Sequence, residues 1–104
     1  MAHITVSKEA RKDLIAIRQY IREELANPLA MQRITAEIKK GILSLKAFPE
    51  RGCPLDALIF VHTAYRYLVC GNYYVFYLHN HDDVLIVRIL HQRQNFMKAL
   101  FIDK

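Results

Sequence analysis

Several features typical of secreted and membrane proteins are missing from this sequence. Its 104 residues include two cysteines, Cys53 and Cys70, and these lack the CxxC spacing of redox and zinc motifs. No stretch approaches the roughly 18 consecutive apolar residues of a membrane-spanning helix. The N-terminus, "MAHITVSKEARKDL", has no apolar middle segment like that of a signal peptide. We therefore expect a cytoplasmic protein with two reduced thiols and no membrane association.

Familiar catalytic and nucleotide-binding motifs are also absent. The sequence contains no GxSxG, no Walker loop and no GxGxxG. The spacings of its histidines and cysteines match no standard zinc-ligand set; the residues concerned are His62, His79, His81, Cys53 and Cys70. No cofactor and no metal are therefore expected.

Acidic residues are few. Ten Asp and Glu against fifteen Lys and Arg give a formal net charge of +5. Positive charge favours polyanionic partners, namely nucleic acid, a ribonucleoprotein surface or an acidic protein. Many small proteins are basic without such a partner, so the charge alone identifies no function.

The apolar residues that are present predict two helices near the N-terminus of a single domain, residues 1–104. Residues 3–6 are β-prone, and Ser7 then suits a helix N-cap. Helical spacings of three and four connect the core positions of the first helix, Ala10, Leu14, Ile17, Ile21 and Leu25. After the break "ANP" at 26–28, the second helix has its own stripe, Met31, Ile34, Ile38, Ile42 and Leu45. The two helices are predicted to form a hairpin.

The C-terminal half is predicted to be β-structure. Segments 65–71, 72–79 and 83–91 are rich in aromatic and β-branched residues, and turn residues separate them. Residues 95–102 predict a short final helix. The order β-α-α-β-β-β predicts an α+β fold, with a small, mainly antiparallel sheet packed on the helical hairpin. Both sheet faces are apolar and one hairpin covers only one of them, so we expect a partner protein on the other.

Basic residues gather at the end of the last predicted strand, in "RILHQR". His91 and Arg93 share a face if the strand continues through them, and Arg88 then points to the other side. Arg66 opens an earlier strand and Arg51 precedes it, so these cations are candidates to converge at one end of the sheet. Phosphodiester binding or cleavage needs such a group, because Arg stabilises negative charge and His transfers protons. Ordinary surface residues and an edge histidine explain the pattern equally well.

The first helix carries a second candidate surface. Arg11, Arg18 and Arg22 fall within about 40° of one another at ~100° per residue, and Ile15 lies between them. Such a stripe suits nucleic acid or an acidic partner helix, but a charge run on a helix is more often simply its solvated side, and that interpretation is favoured here.

Two segments, "NPLAMQRITAEIKKGILSLKAFPERG" and "YRYLVCGNYYVFYLHNHDDVLIVRILHQRQNF", resemble the RelE/ParE superfamily of bacterial toxins. The likeness covers nearly the whole chain. It lies in the order and spacing of "LKAFPERG", "YR", the G-x-Y-x-V-F-Y strand and "RILHQR". The resemblance implies a growth-inhibiting toxin of a type II toxin–antitoxin module. Its partner would be a cognate antitoxin encoded beside it, whose helices or strand cover the apolar surfaces of the toxin.

The superfamily divides by target. The resemblance to RelE-like members, which cut messenger RNA in the ribosome, implies catalytic roles for Arg66, Arg93 and His91. Leu68 and Tyr74, however, stand where that group carries further basic residues. The aromatic residue expected after the last strand has only Phe96 nearby, and a phenyl ring transfers no proton.

ParE-like members poison DNA gyrase and need no such catalytic set. The forms "VCGNYYVFY" and "RILHQR" resemble this group more closely, so gyrase is the favoured target. The alternatives are ribosome-dependent mRNA cleavage and a noncatalytic nucleic-acid-binding module. Contacts with target or antitoxin are expected at Arg11, Arg18, Arg22, Arg51, Arg88 and Phe96.

Overall fold

The computed structural model describes residues 2–102. The elements in chain order are β1 (His3–Val6), α1 (Lys8–Gln19), a π-helical turn (Tyr20–Glu24), α2 (Pro28–Ser44), β2 (Cys53–Pro54), α3 (Asp56–Ile59), β3 (Arg66–Cys70), β4 (Tyr73–His79), β5 (Asp83–His91) and α4 (Phe96–Phe101). The sheet order is β1-β5-β4-β3-β2, with β1 parallel to β5 and the other pairs antiparallel. The predicted α+β fold is confirmed. The short elements β2 and α3 were not predicted.

Both long helices begin where the sequence predicts. The Ser7 hydroxyl accepts a hydrogen bond from the Ala10 amide at 3.0 Å and donates one to the Val87 carbonyl at 2.7 Å. This residue therefore caps α1 and ties its start to β5. At the start of α2, Pro28 occupies the first turn and the Asn27 side chain accepts from the Ala30 amide at 3.0 Å. None of the helices within residues 2–102 combines the length and apolar character needed to cross a membrane.

The first helical segment ends at Glu24, close to the predicted end, but the prediction of Leu25 as a core residue is wrong. Its last turn is π-helical, and the Leu25 amide donates to the Tyr20 carbonyl, five residues earlier, at 3.3 Å. The wider turn breaks the 3.6-residue period after Ile21, which is buried. Leu25 therefore leaves the core stripe and is 56% exposed.

Two apolar clusters lie on opposite faces of the sheet. The first joins the helical hairpin to β4 and β5; its buried members include Ile17, Ile21, Ile38, Leu45, Val75, Tyr77, Ile86 and Ile89. The second lies on the other face and consists of Leu55, Phe76, Leu90 and Leu100, with partly buried aromatic neighbours. Because α4 and the segment around α3 supply Leu100 and Leu55, the chain itself covers much of the face that we expected to be open. That expectation is wrong for this region, although Val69 on β3 stays 58% exposed.

A β-bulge in β5 sets which residues reach each face. Tyr77 pairs with Ile86 while Phe76 pairs with Arg88, so Val87 is an extra residue on β5. The bulge breaks strict alternation, and Ile86 and Ile89 both join the cluster beneath the hairpin. Simple two-residue periodicity does not predict this arrangement.

Candidate functional site

A pocket between the first helix and the end of β5 contains two of the three predicted catalytic residues, His91 and Arg93. It has a volume of about 510 Å³ and is lined by Asp13, Ala16, Ile17, Tyr20, Tyr73, Ile89, His91, Arg93 and Gln94. Strand β5 ends at His91, and a turn carries the chain to Arg93. The two side chains therefore meet through a turn and not along a continuous strand.

Hydrogen bonds hold His91 in one orientation. Its Nδ1 accepts from the Arg93 backbone amide at 3.1 Å, and its own amide donates to the Gln94 side-chain oxygen at 2.7 Å. The Tyr73 ring meets the imidazole edge to face, with centroids 5.3 Å apart. Because Nδ1 is an acceptor, the neutral ring carries its hydrogen on Nε2. His91 therefore offers an Nε2–H donor.

Asp13, an acidic residue that lines the pocket, forms an ion pair within the chain. The Asp13 carboxylate accepts from Arg88 Nε and Nη2, each at 2.8 Å, and from the Ile89 amide at 2.9 Å. The side chains of Asp13 and Arg88 are only 12% and 20% exposed. The pair therefore ties α1 to β5 beside the bulge, and both ends of the Arg88 fork are engaged there.

The remaining polar groups of the pocket suit an anion. Arg93 is exposed and brings a positive charge. Burial, with a smaller effect of neighbouring Tyr20, raises the pKa of Tyr73, so its phenol keeps the proton at neutral pH. A guanidinium, an imidazole N–H and a phenol together can hold a phosphate or carboxylate group. His91 is the side chain in this set suited to moving a proton.

Arg66, the third predicted catalytic residue, lies elsewhere and contacts the backbone. Its guanidinium donates to the carbonyls of Glu50 at 3.2 Å and Gly52 at 2.6 Å. The adjacent Tyr77 hydroxyl donates to the Pro49 carbonyl at 2.7 Å and accepts from the Gly52 amide at 2.9 Å. We call this set of bonds the loop clasp, because it holds residues 49–52 against the sheet.

The expected convergence of the cations at one end of the sheet is wrong. Arg66 pairs with Tyr77, whereas His91 pairs with Tyr73, which itself pairs with Cys70. Arg66 and Cys70 are four positions apart on β3, roughly 13 Å at ~3.3 Å per residue. The register therefore places the start of β3 and the end of β5 at opposite ends of the sheet.

The other predicted contact residues are dispersed. Arg51 is exposed and donates to the Ser44 hydroxyl at 2.6 Å. Arg11 and Arg18 are exposed on α1, roughly 140–160° around the helix from Asp13 at ~100° per residue. Arg22 lies in the π-helical turn, 3.7 Å from the Glu23 carboxylate. The basic stripe and the pocket therefore lie on opposite sides of α1.

Phe96 belongs to the second apolar cluster. Its ring stacks on Phe76 with centroids 5.3 Å apart and meets Tyr74 edge to face at 6.2 Å. These contacts give it a packing role at the start of α4. Whether it also contacts a partner stays a prediction.

Sequence reasoning missed several residues of the pocket. Tyr20 lies one helical turn after Ala16 and Ile17, so helical periodicity alone was a usable signal. Tyr73 lies in the predicted β-segment 72–79 without an assigned role, and its pairing with His91 brings it to the site. Within residues 2–102, no group of three or more His, Cys, Asp or Glu side chains is arranged to hold a metal ion.

Comparisons with known proteins agree with this architecture. Residues 4–96 match the model of the ParE toxin of the type II toxin-antitoxin system parDE. Toxin RelE2 of Caulobacter vibrioides is 37% identical over 92 residues, which are 88% of this chain and 96% of that protein. A chain of the chromosomal ParDE TA system from P. aeruginosa shares the fold, with a TM-score of 0.71 at 17% identity, covering 88% of this chain and 96% of that one. The resemblance seen in the sequence is confirmed: the chain belongs to the ParE toxin family of type II toxin–antitoxin systems, within the RelE/ParE superfamily.

Proposed function

We propose that this toxin inhibits growth by acting on DNA gyrase. The observation that carries the proposal is the engagement of Arg66 in the loop clasp, where both of its acceptors are backbone carbonyls. An arginine held in this way has a structural role in the folded chain. It is poorly placed to stabilise a transition state on RNA, because its Nη1 group already donates to two carbonyls of the loop.

Two neighbouring positions support the same conclusion. Leu68, which stands where RNA-cleaving members carry a basic residue, is 6% exposed in the core beneath the hairpin. Tyr74, at the second such position, packs edge to face against Tyr67 at 5.4 Å. Neither side chain supplies positive charge for a scissile phosphate.

The test is a supercoiling assay with purified toxin, gyrase and relaxed plasmid. Loss of supercoiling and accumulation of protein-linked DNA breaks are expected, and the product of the adjacent antitoxin gene should relieve both. Unchanged supercoiling with no cleavage complexes at a growth-inhibiting toxin concentration would refute the gyrase proposal.

Ribosome-dependent mRNA cleavage is the second candidate function. It is favoured by the pocket that joins His91 to Arg93, since the two could hold a phosphate and move a proton. Transcript ends should be mapped after induction in translating cells, with H91Q/R93Q as the matched variant. New ends that disappear in this variant would support cleavage, and intact messages would exclude it. Either target places the proposed action in the cytoplasm.

We also propose where the antitoxin binds. Family membership implies a cognate antitoxin, and the surface that suits it best is an apolar groove of about 360 Å³ beside α3 and α4. Ile59, Val61, Met97 and Phe101 line this groove. The neighbouring Phe60 has a left-handed backbone with φ of 59° and is 91% exposed. An exposed patch of this kind is typical of a protein interface.

The groove can be tested by co-purification with the product of the adjacent gene. V61S/F101S should weaken the complex at least tenfold, because it removes apolar area from the groove. V69S is the matched control, since Val69 is exposed on β3 outside the groove. Equal weakening by both variants would place the antitoxin on another surface.

A further inference from the structure

One face of α1 is entirely basic or neutral. At ~100° per residue, the positions that span about 120° of this face are Lys8, Arg11, Lys12, Ile15, Arg18 and Gln19. All six are exposed, and no acidic residue of Lys8–Gln19 falls among them. We call this surface the basic face. Compared with the stripe predicted from the sequence, the basic face also includes Lys8 and Lys12. It excludes Arg22, which lies beyond α1 in the π-helical turn.

The charges of the basic face are available to a partner. Within residues 2–102, Lys8, Arg11, Lys12 and Arg18 form no ion pair with an acidic side chain. Two acids adjoin this set in sequence: Glu9 lies about 60° around the helix from Lys12, and Asp13 points to the other side of α1 and is held by Arg88. A partner that binds the basic face therefore does not have to break internal ion pairs.

The composition of the basic face favours a phosphate backbone over a protein partner. A stable protein interface buries about 800 Å² per partner around an apolar centre. The basic face offers a single apolar side chain, Ile15, which is 59% exposed. Attraction between this surface and a partner must therefore be mainly electrostatic.

The spacing of the cations fits duplex DNA. Lys8 and Arg18 are ten residues apart, roughly 15 Å along the axis at ~1.5 Å per residue. One DNA strand presents a phosphate about every 3.4 Å along its axis, so about four phosphates lie within that length. The basic face therefore offers four cations over a length of duplex that carries a comparable number of phosphates on each strand.

We propose that the basic face of α1 binds the phosphate backbone of duplex DNA without sequence preference. This contact goes beyond the proposed action on gyrase, because it needs no gyrase. On that target, it would hold the toxin near the DNA on which the enzyme acts.

The test is fluorescence anisotropy of a labelled 20-bp duplex with the purified full-length toxin, titrated at several salt concentrations. Four phosphate contacts predict a slope of log K against log salt of about −3.6, or roughly 150-fold weaker binding at 200 mM than at 50 mM salt. R11Q/R18Q should lower the slope to about −1.8. K8Q/K12Q should give the same reduction, which guards against a folding defect in one variant.

R33Q/K39Q is the matched control, because it removes two exposed charges from α2 and leaves the basic face intact. Far-UV circular dichroism of each variant is the control that it is folded. The proposal is overturned if the control lowers the slope as much as R11Q/R18Q does, or if the wild-type slope is flat. Tighter binding of duplex RNA or of polyglutamate at equal salt also overturns it. Because this assay contains no gyrase, a negative outcome would refute the DNA contact without affecting the gyrase proposal, which the supercoiling assay tests.

Discussion

The two ends of the sheet both carry an arginine that sequence analysis placed in a catalytic set, and the structure uses them differently. Arg66 Nη1 and the Tyr77 hydroxyl bind the backbone of residues 49–52. His91 and Arg93 border an open pocket, where the His91 ring accepts from the Arg93 amide and packs against Tyr73. An arginine at the end of a strand therefore indicates function only when its partners are known.

The largest expected effect is at the Asp13–Arg88 pair beside the pocket. D13A leaves a mostly buried guanidinium and the Ile89 amide without their carboxylate, and should lower the free energy of unfolding by about 3 kcal/mol. Urea denaturation measures the loss. D13N is the matched variant and should lose less, because it keeps an acceptor for the amide. An effect of D13A below 1 kcal/mol would mean that the pair contributes little to the attachment of α1.

A smaller loss is expected at the loop clasp. Y77F removes one hydroxyl and leaves the Pro49 carbonyl and the Gly52 amide without their partner. The free energy of unfolding should fall by about 2 kcal/mol. Y74F is the matched control on the same strand and should change it by less than about 0.5 kcal/mol. If the two variants were equally stable, the clasp would not hold the loop.

Replacing each arginine by lysine compares the two ends directly. R66K loses the guanidinium whose Nη1 reaches two carbonyls and should cost about 1 kcal/mol of stability, whereas R93K should cost almost nothing because that side chain is exposed. Thermal denaturation of both variants measures the difference. If the pocket that contains Arg93 is the functional site, R93K should reduce growth inhibition after induction more than R66K does. Equal stability losses would mean that Arg66 contributes no more to the folded state than Arg93 does.

The smallest expected effect is on the pH dependence of stability. Burial raises the pKa of both Tyr73 and Tyr77 above the ordinary value of 10.0. The unfolded chain then releases these protons at lower pH than the folded chain does. Their contribution is complete below about pH 10 and is lost as the pH rises through the higher folded pKa values. Urea midpoints between pH 8 and 11 should therefore fall less steeply for Y77F than for wild type.

Much of the fold could be predicted because its signals are local. Ser7 and Pro28 mark helix starts, and the spacing of Ile34, Ile38 and Leu45 marks one packed face. The π-helical turn was missed because its wider winding interrupts the period that predicted Leu25 as a core residue. Strand β2 has two residues, Cys53 and Pro54, and is defined as a strand only by its pairing with β3.

The candidate site depended on contacts that no local pattern contains. His91 and Arg93 were predicted, but Tyr73 and Tyr20 join them only because β4 pairs with β5 and α1 packs against the sheet. Arg66 was predicted for the same site and lies at the other end, since strand register decides position along a sheet. Residue type thus indicated the chemistry, and register decided which side chains meet.

The sequence by itself determined the order of the two long helices, the longer strands and the final helix, together with the positive charge and the family, because capping, periodicity and motif spacing act over a few residues. Tertiary structure alone decided that the second sheet face is largely covered, that Arg88 is engaged with Asp13, and that the cations divide between two ends. The physical reason is that burial and ion pairing depend on which distant segments pack together, and that is set by the sheet register and the bulge at Val87.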